Sequence, residues 1–297
     1  MFDRIFGEYL LNEGAINKAQ LDECNQNAQN ARARLGTIAV AEQMITQAQA
    51  DELNFLQSTT DKRFGDLAVE KGYLTDEQVG RLLKKQGNAF LVFIQSLIDT
   101  GVMNLEQTDE YVEKYRISVG LSHSELDDLT SGDIDRSVSI FMPEQNAMTE
   151  QFCALIVRTL RRLIDNKAYI RPGEICTEIS AGKGAMQTMS GDHRFSTLFI
   201  GEGSSLLGIA EEFAKEKFET VDLDALDAVA EFINCVDGLY ATQLSQDMVD
   251  VDMEPPSFYA EGLKISGGEF LVVPIVVNDL EAKLVISIDT DIKVENA

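Results

Sequence analysis

The sequence predicts an all-α helical repeat domain followed by an α+β domain with an antiparallel sheet and packed helices. Three observations carry that reading. A 29-residue self-similarity runs through the first third of the chain. Beyond residue 165 the apolar pattern switches from a helical period to short alternating stretches. A length of 297 residues fits about two domains.

The repeat is read by stepping 29 residues at a time. Phe6, Leu35, Phe64 and Phe93 align, as do Ile16, Ile45, Leu74 and Met103. The turn column holds Gly14, Gln43, Gly72 and Gly101. It is followed by Asn17, Thr46, Thr75 and Asn104, each with a glutamine three residues on: Gln20, Gln49, Gln78 and Gln107. Asn or Thr followed at that spacing by Gln is a capping box, in which each side chain takes a backbone amide at the start of a new helix. Each unit is thus a short helix, a turn and a capped second helix. One unit cannot bury its apolar face alone, so four copies should pack as one domain over residues 1–115.

The second and third units, RLGTIAVAEQMITQAQADELNFLQ (34–57) and RFGDLAVEKGYLTDEQVGRLLKKQ (63–86), carry a further signal. They resemble the N-terminal domain of type II secretion and pilus-assembly ATPases, some of which bind cyclic di-GMP through paired motifs of this form. The resemblance implies nucleotide contacts from Arg34, Gly36 and Gln57 in the first motif and from Arg63, Gly65 and Gln86 in the second. Where the family pattern has glycine and leucines, the first motif has Gln43, Ala39, Ala50 and Asn54, and the second has Phe64, Ala68 and Val79. The other reading of the same arginines and glutamines is a solvated helix surface in a protein-docking module.

Residues 116–146 are polar and acidic without a sustained period and read as a linker, with RSVSIFM (136–142) as a short strand ended by Pro143. The second domain, 147–297, opens on an amphipathic helix over Met148–Asp165, with Arg158, Arg161 and Arg162 on its solvated face. EICTEIS, GAMQTMS and RFSTLFIG then read as strands, and the AGKG and SGDH between them as hairpin turns. Gly182-Lys183-Gly184 lacks the spacing of a phosphate loop. Gly201-Glu202-Gly203 is a turn into a helix capped at Ser204 or Ser205. Asp222 or Asp224 caps a long helix reaching about Gln246. After Pro255-Pro256 come FYAEGLKIS, GEFLVVPIVV and EAKLVISID, joined by turns at Gly267-Gly268 and Asn278-Asp279. Helices packed on antiparallel strands give an α+β domain.

Composition bounds the function. Apolar residues at 44% and charged residues at 25% exclude a disordered or collagen-like chain. A net charge of −25 opposes binding to a nucleic acid polymer, which needs clustered Lys and Arg. No apolar run approaches the roughly 20 residues of a membrane span, so no membrane insertion is expected. The N-terminus lacks the basic-then-apolar order of a secretory signal. The scattered Cys24, Cys153, Cys176 and Cys235 read as reduced thiols, so a cytoplasmic protein is expected. With His123 and His193 as its only histidines, the chain offers no metal centre, and no cofactor is expected from it.

The long helix carries the chemistry. In DAVAEFINCVDG (227–238), Glu231 and Asn234 are three apart and share a face. Asparagine competes for backbone bonds and is a mediocre interior helix former, so its place among Ala, Val, Phe and Ile calls for a reason. The order Asp227-x3-Glu231-x2-Asn234-x3-Gly238, followed by the double proline and a return of strands, resembles the CheC/CheX family of chemotaxis phosphatases in its single-motif, CheX-like form. On the first helix Cys153 stands where a second motif would need Asn.

That resemblance implies a protein aspartyl-phosphate phosphatase acting on a phosphorylated CheY-like receiver domain. Asn234 would position water and Glu231 would pair with the receiver's lysine. Asp227 and Gly238 would contact the partner, and Mg²⁺ would be supplied by the receiver. The N-terminal domain would then be regulatory or docking. A non-catalytic scaffold and a cyclic di-GMP-responsive adaptor are the alternatives, and either admits a homodimer.

Overall fold

The computed structural model describes residues 1–28, 32–59, 62–143 and 146–296, with 58 and 59 described by backbone alone. The chain forms two compact units, Met1–Gly132 and Asp133–Ala297.

The first unit is helical. Helices α1 (Phe2–Asn12) and α2 (Lys18–Ala28), α3 (Leu35–Ala41) and α4 (Gln47–Thr59), α5 (Phe64–Glu70) and α6 (Asp76–Lys85), and α7 (Ala89–Asp99) and α8 (Leu105–Ser118) follow in order. Each pair closes on the same local chemistry. The carbonyls of Leu10, Ala39, Ala68 and Leu97 each accept from two amides past the turn, such as Ala15 and Ile16 or Tyr73 and Leu74. The turn residues Gly14, Gln43, Gly72 and Gly101 have φ of 68°, 54°, 71° and 70°. In all four boxes the cap side chain accepts from the amide of the Gln three residues on, and that Gln side chain accepts from the amide of the cap residue.

Gln43 is the one non-glycine in that column, and its left-handed backbone carries a Cβ penalty that glycine avoids. Gln43→Gly is therefore expected to raise stability by about 0.5–1 kcal/mol, net of glycine's greater unfolded entropy. Chemical denaturation of the full chain checks this, and a lowered midpoint would mean that the Gln43 side chain holds something the turn needs.

Helix α7 is apolar on nearly every side, and Phe90 through Leu97 are all buried. Around it, Phe2, Phe6 and Phe90 make an aromatic cluster with Tyr115 of α8. Three glycines mark close helix crossings. A Cβ on Gly7 would lie 2.8 Å from Leu21, on Gly36 3.0 Å from the Phe64 ring, and on Gly65 2.8 Å from Val79.

The expected linker is helical. Helix α9 (His123–Ser131) begins at a Ser122–Glu125 capping box, and Asn88 Nδ2 donates to the carbonyls of Thr130 and Ser131, tying α9 to the start of α7. The helical unit thus runs past residue 115 to Gly132, whose φ of 80° ends α9. The predicted strand at 136–142 is instead helix α10 (Ile134–Phe141), begun by Asp133, whose carboxylate accepts from the Arg136 amide. Local capping, readable in Ser122-x-x-Glu125 and Asp133, overrides the β-branched look of RSVSIFM.

The second unit continues with α11 (Ala147–Leu163), β1 (Tyr169–Ile170), β2 (Glu174–Ala181), β3 (Lys183–Gly191), β4 (Phe195–Gly201), α12 (Leu207–Ala214), α13 (Leu223–Gln246), β5 (Val251–Met253), β6 (Ser257–Tyr259), β7 (Leu263–Val277), β8 (Leu280–Ile288) and β9 (Ile292–Asn296). The paired strands are antiparallel, in the order β1-β7-β8-β4-β3-β5, with β2 and β9 also on β7 and β6 on β3.

Phe152 of α11 stacks on Tyr240 of α13, both meet Phe195 of β4 edge to face, and Phe232 of α13 packs on Phe199 of β4 and on Phe213 of α12. On the opposite face of β4, Leu198 and Ile200 join Leu263, Ile265, Phe270, Val272 and Val285 in a second core over which the sheet curls.

Two expected hairpins are absent. β2 and β3 are separated by Gly182 alone but pair with different strands, so AGKG is a bend between sheet edges, with the Gly182 amide donating to Glu202 Oε1 at 2.7 Å. β7 runs unbroken through Gly267-Gly268. A Cβ on Gly267 would meet the Asp291 carbonyl at 2.6 Å, so glycine here permits the close approach of β9. Asn278 and Asp279, with φ of 48° and 61°, do form the tight β7–β8 turn. Helix α12 starts from Leu206 without a side-chain cap, and the Ser205 hydroxyl is buried. Of the three arginines expected on a solvated face of α11, Arg158 pairs with Asp135 of α10 and Arg161 donates to the Ala168 carbonyl.

Candidate functional site

Helix α13 begins where Asp222 accepts from the Ala225 amide at 3.0 Å. Ala225, Leu226, Val229, Phe232, Ile233, Val236, Tyr240 and Leu244 recur at helical spacing and are buried. That arc fixes the helix against β3, β4 and α12 and leaves one stripe outward. Asp227, Glu231, Asn234 and Gly238 lie along it, so the four residues singled out in the sequence come together on one helix face. Asp227 and Glu231 are exposed, and Asn234 and Gly238 are half-buried.

Among the described residues, neither Glu231 nor Asn234 makes a side-chain hydrogen bond. A rigid, well-buried helix thus holds a carboxylate and an amide one turn apart, both available to a partner. The amide offers a donor and an acceptor, and the carboxylate accepts only. A Cβ on Gly238 would meet a single atom within 4 Å, Met253 Cε at 3.8 Å, so packing does not require glycine there and the surface over it is open. On α11 the corresponding positions differ: Glu150 is half-buried, and Cys153 is fully buried, its thiol pushed up to about 12 by burial.

Sequence reasoning passes over Asp237. It falls on the buried arc of α13 and is wholly inaccessible, and Thr197 Oγ1 of β4 donates to its Oδ1 at 3.2 Å. Its Oδ2 has no partner among the described residues, and neither has Oε1 of Gln187, the cross-strand neighbour of Thr197. Burial pushes the Asp237 carboxyl well above the usual carboxylate range, against the smaller opposing effect of the Thr197 bond. The signal is present in the spacing, since Ile233, Asp237 and Tyr240 follow one another on the same arc.

The folded carboxyl titrates above the unfolded one. Its burial cost is therefore absent below about pH 4 and grows as pH rises toward the folded value. Asp237→Asn removes that charge and adds a donor, so it should stabilise the protein by about 1–3 kcal/mol at neutral pH, with the advantage shrinking toward pH 4. Urea midpoints at pH 5 and pH 8 test it. A variant equally destabilised at both would mean that the ionised carboxylate has a partner.

The six nucleotide-motif residues are dispersed in role. Gly36 and Gly65 are buried at helix crossings. Arg34 pairs with Asp99 at 3.2 Å, and Gln86 Nε2 donates to the Ala33 carbonyl at 2.9 Å. Arg63 and Gln57 are exposed. A cleft of about 630 Å³ opens beside α3, α4 and α8, and of the six only Gly36 lines it. Its charged lining consists of Glu106 and Asp109, which opposes a phosphodiester ligand.

No described helix is long and apolar enough to cross a membrane. Among the described residues no group of three or more His, Cys, Asp and Glu side chains is placed to hold a metal ion.

Residues 184–275, which include the whole of α13, match the family model of the chemotaxis phosphatase CheX. No curated protein matches the chain. Among solved structures, a CheC-like superfamily protein from Shewanella sp. PV-4 is similar at 20% identity, covering 48% of this chain and 99% of that one, with a TM-score of 0.42. The chemotaxis protein CheX from Desulfovibrio desulfuricans is similar at 15% identity, with the same coverage and TM-score. The CheX–CheY–BeF3–Mg²⁺ complex from Borrelia burgdorferi contains a chain 18% identical, covering 51% of this chain and 100% of that one, with a TM-score of 0.38.

Proposed function

We propose that the second unit is a protein aspartyl-phosphate phosphatase acting on a phosphorylated CheY-type receiver domain. The observation that carries the reading is the outward stripe of α13, where Glu231 and Asn234 stand one turn apart without side-chain hydrogen-bond partners among the described residues, on a helix whose opposite arc is buried. The CheX match across residues 184–275 supports it.

The chemistry needs little from this chain. An aspartyl phosphate is an acyl phosphate and already activated. Phosphoryl transfer depends chiefly on positioning and electrostatics. The Asn234 amide oxygen accepts a hydrogen bond from water and its NH₂ donates to the phosphoryl group, holding the water in line with the scissile P–O bond. Water oxygen bonds to phosphorus, the receiver's aspartate carboxylate leaves, and the water proton goes to the released phosphate. Glu231 pairs with the receiver's lysine and docks the helix. Mg²⁺ belongs to the receiver, and no cofactor is drawn from this chain.

The first unit is, in this reading, a four-copy helical repeat serving as a docking or regulatory module. The recurrence of the same turn and the same capping box every 29 residues supports the repeat. The packed glycines, the engaged Gln86 and the acidic cleft favour a protein partner over cyclic di-GMP. Phosphate release from phosphorylated CheY-type receivers, with and without the full chain, tests the catalytic reading. Binding without accelerated release would support the scaffold alternative.

A further inference from the structure

Strands β5 and β6 form a short wall beside α13, and their side chains are unusual for an edge. Met253 is 45% exposed and Phe258 37% exposed. Their cross-strand partners on β3 are Met189 and Ala185. Both partners are buried, and both share the helix-facing side of β3 with Gln187. Met253 and Phe258 therefore lie on the α13 side of the sheet.

Their levels along the helix follow from the register. Met189 pairs with Phe195, which packs on Tyr240, so Met253 stands level with Gly238–Tyr240. Ala185 pairs with Phe199, which packs on Phe232, so Phe258 stands level with Phe232–Asn234. Two half-exposed apolar side chains thus run parallel to the Glu231–Asn234–Gly238 stripe, and Met253 walls the open space over Gly238.

We infer that Met253 and Phe258 form an apolar flank of the docking surface, receiving apolar side chains that border the phosphorylation pocket of the receiver. The inference rests on the proposed function and extends it to partner selection. Charge favours this occupant. Helix α13 has no Lys, Arg or His, and its outer face carries Asp224, Asp227 and Glu231. The receiver's lysine, which the proposed function pairs with Glu231, is a cation complementary to that face. A second copy of this chain would set like charges against each other. Pro255 and Pro256, between β5 and β6, remove two backbone donors from the edge, which disfavours addition of a strand and leaves side-chain docking.

The test is a titration of the full chain against CheY-type receivers held in the phosphorylated form with beryllofluoride and Mg²⁺. Met253→Asp and Phe258→Asp are each expected to weaken binding about tenfold or more. Ile175→Asp, an equal charge change at an exposed apolar site on β2 at the opposite edge of the sheet, should leave it unchanged. Should either Asp variant melt early, Met253→Ser and Phe258→Ser take its place, with a smaller loss in the same direction. Wild-type binding matched by the flank variants would overturn this inference and leave the function standing. Absence of binding by the wild type would overturn both.

Discussion

Asn234→Ala is expected to slow dephosphorylation of the proposed partner receiver by about a hundredfold while the complex still forms. This is the largest effect expected of any single substitution in the chain. In the proposed mechanism the amide's contribution is geometric: it would fix one water in line with the bond that breaks, and a misplaced nucleophile would forfeit most of the rate while affinity is nearly preserved. Folding is not at risk, because the side chain is half-buried and makes no hydrogen bond among the described residues. Receiver decay and a binding isotherm, measured on the same preparation, separate the two quantities. Decay unchanged by the substitution would remove Asn234 from the mechanism and move the protein to the scaffold reading.

Glu231→Ala should act differently, weakening the complex as well as turnover. A carboxylate that docks on a lysine makes a charge-assisted contact, and its removal is expected to lower affinity about ten- to a hundredfold. The pair of variants forms a pattern: Asn234→Ala moves the rate at saturation, and Glu231→Ala moves chiefly the concentration needed to reach it. Because Glu231 is exposed, salt should erode its contribution, so the wild-type advantage over Glu231→Ala shrinks as ionic strength rises. Equal affinity of wild type and variant at low salt would show that the lysine is engaged elsewhere.

The parts of this fold that are legible in the sequence are those written in short-range chemistry. A capping box spans three residues, and a left-handed turn is declared by one glycine, so four helix pairs can be read by stepping along the chain. Gln43 fits the column by position alone, and its backbone still adopts the glycine conformation. The outward stripe of α13 is legible for the same reason, since helical period and side-chain polarity decide it locally.

What the sequence conceals depends on partners far away along the chain. Gly182 and Gly267-Gly268 have the composition of hairpin turns, yet one is a crossing between sheet edges and the other lies within a single long strand. Only the identity of the neighbouring strand distinguishes these cases. Residues 123–141 mislead for a different reason: the caps at Ser122 and Asp133 are present, but the acidic polarity around them masks the helices they start. Asp237 is hidden because a carboxylate beside Gly238 reads as surface until the buried arc of α13 is traced through it.

The most direct test of the central claim is the lifetime of a phosphorylated CheY-type receiver mixed with a substoichiometric amount of the full chain. Receivers are expected to turn over many times per molecule of protein, with inorganic phosphate released in step and the acceleration lost in Asn234→Ala. A receiver that binds the chain yet keeps its phosphoryl group as long as it does alone would contradict that claim.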